Sequence, residues 1–147
     1  LDTIEIDNEW QETYEQLKAA ANRKSSWRDR LDAVEQLGKW NNEQAIELLA
    51  NRLNYDTVYQ VQEAAYRILK QFGEDVQRPS QKKGELIKGV NKILVRVKKS
   101  LPAGHSFEEF KEKLKRMRSD IYDIYEGNKG ADFEKWLEDI WSSASAR

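Results

Sequence analysis

The chain has 147 residues, with 25 Lys or Arg against 26 Asp or Glu, and no Cys. That length supports one domain with a proper core and is short for two. Lack of cysteine excludes disulfides, thiolate metal sites and a cysteine nucleophile, and a net charge of −1 names no partner.

Apolar residues make up 39% and charged ones 35%, a wet composition that suits a thin helical array with much surface. No stretch approaches the ~18 apolar residues of a membrane helix, and no signal peptide is visible. A cytoplasmic protein that does not enter a membrane is the expectation.

Apolar spacing predicts seven helices. The first spans about Asn8 to Ala21, with Trp10, Tyr14, Leu17 and Ala21 on one face and Asp7 or Asn8 as its cap. The second starts behind Ser25 or Ser26 and reaches Trp40, with Trp27, Leu31, Val34 and Leu37 inward. Asn41-Asn42 forms a turn, since Asn tolerates left-handed backbone. The third helix, Glu43 to Leu53, turns Ile46, Leu49 and Leu53 inward. Asn54 to Thr57 turns the chain into a fourth, which carries Val58, Val61, Ala65, Ile68, Leu69 and Phe72 and stops at Gly73.

Residues 74–84 hold Pro79, Ser80 and Gly84, show little periodicity and read as a loop. The fifth helix runs from about Glu85 to Lys99, weakened at Gly89. Ser106 to Glu109 is a capping box opening the sixth. Its inward set is Phe107, Phe110, Leu114, Met117, Ile121 and Ile124. Gaps of three and four over about two and a half heptads suit a long helix packed on its neighbours more than an independent coiled coil. Gly127 to Gly130 ends it, and a seventh helix from Ala131 to about Ser143 carries Phe133, Trp136, Leu137, Ile140 and Trp141.

Sliding the chain by 32 residues sets Arg30 on Gln62, Ala33 on Ala65, Leu37 on Leu69 and Trp40 on Phe72. A fixed period of that size marks a helical repeat array. Gln44 to Gly73 resembles a HEAT repeat of the bacterial type: outer helix AIELLANRL, turn NYDT where the family favours Asp, inner helix VQEAAYRIL. The family's Val-Arg pair is Val61-Gln62 here, while Arg30 holds the Arg position in the upstream copy. The resemblance covers Trp27 to Gly73. It implies an all-α, right-handed α-α superhelix: HEAT-like pairs over 8–73, then a helical C-terminal extension over 85–147 of diverged repeats or capping helices, in a single 1–147 domain. It also implies binding or scaffolding more often than catalysis. On this reading the concave face presents Arg28, Asp32, Glu35, Gln60, Glu63 and Arg67, a mixed-charge patch suited to a protein or peptide.

Charge is unevenly distributed. Residues 1–77 carry nine basic against fifteen acidic residues, 78–118 thirteen against four, and 119–147 three against seven. Lys88, Lys92, Arg96 and Lys99 recur at gaps of four, four and three, which places them on one helix face. With Lys82, Lys83 and Lys98 nearby, that face could track a phosphate backbone. The simpler reading, preferred on sequence alone, is a solvated face or one that pairs with the acidic ends of the same chain. No aromatic residue interleaves with these lysines, so base stacking is not expected.

The five Trp read as core and helix-end packing, Trp141 being the one expected to stand most exposed. His105 is the sole histidine and has no nucleophile or orienting group near it in sequence, so a catalytic base or metal ligand is not expected. Residues 123–134 miss the oxygen ligands of a calcium loop. No phosphate-cradling Gly loop or nucleophile elbow is present. The expectation is therefore a non-enzymatic protein-interaction module without cofactor or metal, with a nucleic-acid binder as the alternative.

Overall fold

The computed structural model describes residues 3–82 and 84–144. Among them every regular element is helical. The helices are α1 (Thr3–Ala21), α2 (Trp27–Leu37), α3 (Glu43–Tyr55), α4 (Tyr59–Gln71), α5 (Val90–Lys99), α6 (Phe107–Met117), α7 (Ser119–Lys129) and α8 (Phe133–Ser143), with a 3-10 turn at Gly130–Asp132. All seven predicted helices are present, the sixth divided into α6 and α7. No described helix is long and apolar enough to cross a membrane.

Contacts group into two compact units, Leu1–Gln81 and Lys82–Arg147, each with its own apolar core. In the first, α1 packs on α2 and α3 on α4, while α2 lies against α4 and α1 against α3. The 32-residue period is visible in burial: Ala33, Ala65, Leu37 and Leu69 are all buried. Trp40 and Phe72 each cover the end of the core. Arg67 pairs with Glu35 at 2.9 Å, joining identical register positions of α2 and α4. Gly38 lets them close together, because a Cβ there would stand 3.3 Å from the Ile68 side chain.

Polar side chains fix the helix starts. Ser26 accepts from the Asp29 amide and Asn42 from the Ala45 amide, each satisfying an orphan donor. Asp7 and Asn8, expected as caps, lie inside α1, which begins at Thr3. Residues 74–80 are non-helical, as expected. Val76 packs on the first core, and the Arg78 guanidinium stands 5.2 Å from the Tyr66 ring.

In the second unit α5 packs on α6 and α8, and α7 on α6 and α8, around Leu94, Phe110, Leu114, Ile121 and Leu137. Each of these five side chains is under 2% exposed, a burial worth about 1.5–3 kcal/mol apiece. Ser106 and Glu109 make the expected reciprocal capping box. The long sixth helix does not form as one piece. Arg118 leaves helical backbone at φ −137°, ψ 66°, and its guanidinium grips Asp120 at 3.0 and 2.9 Å across the break. Met117, expected inward, is 54% exposed. The break lets α7 fold back on α6, where Ile121 and Tyr125 enter the core.

Candidate nucleic-acid interface and inner-helix patch

The basic face is narrower than its spacing implies. Gly89 takes the left-handed conformation, φ 73°, at the N-cap of α5, so helix begins at Val90 rather than Glu85. Lys88 sits in the preceding turn, exposed but off the helix. Lys92, Arg96 and Lys99 remain together, with Asn91 and Val95, around a shallow open groove of about 370 Å³. Val90, Leu94 and Val97 occupy the opposite, buried face. Among the described residues, no carboxylate pairs with Lys88, Lys92, Arg96 or Lys99. Lys82 is exposed, and Lys83 lies outside the described residues.

Lys98 points elsewhere. Its ammonium donates to the Trp141 and Ala144 carbonyls at the end of α8, the latter at 3.1 Å. A cation there satisfies orphan carbonyls and the negative helix terminus. The same ammonium lies 5.3 Å from the Trp141 ring. Like Trp27, Trp40 and Trp136, Trp141, expected to stand most exposed of the five Trp, is half-buried. Phe107 packs on it at 5.4 Å between ring centroids, and its indole N–H donates to His105 Nε2 at 2.9 Å. An indole can only donate, so Nε2 is the acceptor; His105 Nδ1 then carries the proton and donates to the Pro102 carbonyl at 2.8 Å. His105 thus holds a tryptophan in place. Lys98, His105, Trp141 and the loop Leu101–Gly104 line a second recess of about 230 Å³, which also includes Lys99.

The inner-helix patch is largely engaged with itself. Glu35 and Arg67 pair across α2 and α4, each about half exposed. Glu63 accepts from the Tyr59 hydroxyl at 3.0 Å and meets Arg78 at 3.5 Å. The hydrogen bond to Glu63 raises the Tyr59 pKa above its ordinary value. Arg28 stacks on Trp27, 4.5 Å from its centroid. Asp32 and Gln60 are exposed on α2 and α4.

One further cluster carries charge inside the protein. Arg30, 4% exposed, donates to both Asp56 oxygens at 2.9 and 3.2 Å. Arg52 adds a bond of 3.0 Å, and Asp56 Oδ1 accepts from the Val58 amide at 2.9 Å, starting α4. Arg30 also donates to the Arg23 carbonyl. The cluster therefore ties α2 to the α3–α4 turn. The next position in register, Gln62, instead donates to the Leu53 carbonyl of its own pair at 2.9 Å.

Sequence reasoning found the cations but missed Trp141 and His105 beside them. Trp141 stands 43 residues from Lys98 and 36 from His105, so no local pattern reports their meeting. No family model matches the chain, and no curated protein or solved structure matches it either.

Proposed function

We propose that the chain is a non-enzymatic interaction module of HEAT-repeat type. The right-handed superhelical stacking of α1–α2 on α3–α4 belongs to that proposal. Three observations support it: buried apolar residues that repeat after 32 positions, the in-register Glu35–Arg67 pair, and the Arg30–Asp56 tie between successive pairs. Of the two candidate surfaces, the α5 face is favoured for contact, and nucleic acid is the partner it suits. The observation that carries this reading is that Lys92, Arg96 and Lys99 stand exposed on one face of α5 around an open groove. Three exposed cations on one helix face attract a phosphate backbone, and releasing its counterions adds to the affinity.

Fluorescence anisotropy with labelled DNA and RNA at roughly 50 and 200 mM salt tests it. Binding that weakens steeply with salt and disappears in Lys92→Glu with Arg96→Glu is the expected result. No binding at the lower salt sinks the reading.

A protein partner on the α2–α4 layer is the second reading. It is favoured by the exposed Glu35–Arg67 pair with Asp32 and Gln60 beside it. A protein captured by the wild-type chain and by the α5 charge-reversal variant, but not by Asp32→Lys with Glu35→Lys, supports it. A captured protein indifferent to both changes does not.

A further inference from the structure

The groove along α5 and the recess beside Trp141 meet at Lys99, which lines both. We propose that this joined surface selects single-stranded over double-stranded nucleic acid, with phosphates on Lys92, Arg96 and Lys99 and one base in the recess against Trp141 and His105. The inference rests on the nucleic-acid reading of the α5 face and adds which form is bound.

Single-strand sites combine a cationic track with aromatic side chains that take a base. Both parts are present here, although they come from separate parts of the sequence. The track is helical, so Lys92, Arg96 and Lys99 rise about 6 and 4.5 Å from one to the next along the axis. The aromatic part is anchored by several contacts. Lys98 donates to the main-chain carbonyl of Trp141 and lies over its ring, the indole N–H donates to His105, and Phe107 packs against the ring. Lys98 is thereby committed to α8, which leaves Lys99 as the cation at the junction.

Size decides what can enter. The recess, at about 230 Å³, is several times the ~30 Å³ share of one water. It falls below the ~300 Å³ at which pockets for drug-sized ligands begin. That is room for a single planar ring. A base inside a duplex is stacked and paired, and can reach such a recess only by being flipped out at a cost in free energy. An unpaired base enters without that cost.

The experiment compares a labelled twelve-nucleotide oligothymidylate with a blunt twelve-base-pair duplex at about 50 mM salt, using the full chain. Ala103→Leu narrows the recess from an exposed loop position that lines it, without adding an aromatic face, and its circular dichroism checks that the fold is kept. The wild type is expected to bind the strand about tenfold tighter than the duplex, the worth of roughly one stacked base. Ala103→Leu is expected to lower strand affinity to the duplex level and leave duplex binding unchanged. Equal wild-type affinities, or a strand preference that survives Ala103→Leu, overturn the base recess while the nucleic-acid reading stands. Failure of both probes to bind the wild type overturns the recess and the underlying reading together.

Discussion

Asp56 is the shared acceptor of the buried charge cluster. Its carboxylate is fully buried and serves two guanidiniums and one backbone amide. Breaking a buried pair from one side costs about 3–5 kcal/mol, because the other charge is left uncompensated. Asp56→Ala is expected to fall in that range by urea denaturation. Arg52→Ala, which leaves the Arg30 bonds intact, should cost about 1 kcal/mol. Similar losses in the two variants refute Asp56 as the hub. Asp120 acts at the surface. Its carboxyl is held below the ordinary range chiefly by hydrogen bonds from Arg118. A carboxyl with a lowered folded-state pKa contributes stability above about pH 4 that is lost as pH falls through that lowered value. Solvent screening keeps the contribution under about 1 kcal/mol. The stability difference between wild type and Asp120→Asn should therefore be measurable at pH 6 and shrink on acidification to about pH 3; a constant difference refutes the link. His105 is a positioning residue for Trp141, and its sequence neighbours show none of this.

Among the elements, α7 and its ends depend most on backbone conformation. Gly130 closes α7 at φ 56°, ψ −126°, a region that side-chain-bearing residues rarely occupy. A Cβ at Gly130 meets nothing within 4 Å, so the cost of Gly130→Ala is purely conformational, about 1–3 kcal/mol. Chemical denaturation measures it, and a change within about 0.3 kcal/mol contradicts the assignment. The α6–α7 break is harder to foresee. Its neighbourhood has no Gly or Pro, and the three-four apolar spacing runs straight through Met117 and Ile121. What ends α6 is the Arg118–Asp120 clasp and the burial gained when α7 turns back, neither of which a periodicity reports. The start of α5 is partly legible: Gly89 marks a weak point in the sequence, but its left-handed conformation, which removes Lys88 from the helix, comes from the folded chain.

For the molecule as a whole, charge is the property most open to test. The 78–118 segment carries thirteen basic against four acidic residues, and Lys92, Arg96 and Lys99 gather three of those cations on one face of α5. Three phosphate contacts to a single strand predict a slope of log affinity against log salt of about −2, with Arg96→Gln lowering its magnitude by about 0.7. A slope near zero in the wild type rules out phosphate contacts as the source of binding.

The amino-acid sequence by itself determined that the protein is helical, the caps at Ser26 and Ser106, and the 32-residue register of its first two pairs. Those properties follow from the 3.6-residue helix period and from hydrogen bonds between residues two to four apart, so they are written locally. Tertiary structure alone decided that the contacts form two compact units. It also decided that Arg30 meets Asp56, that α6 stops at Arg118, and that Trp141 and His105 stand beside Lys98 and Lys99. Each of those outcomes depends on pairing residues tens of positions apart or on burial that exists only after the helices pack.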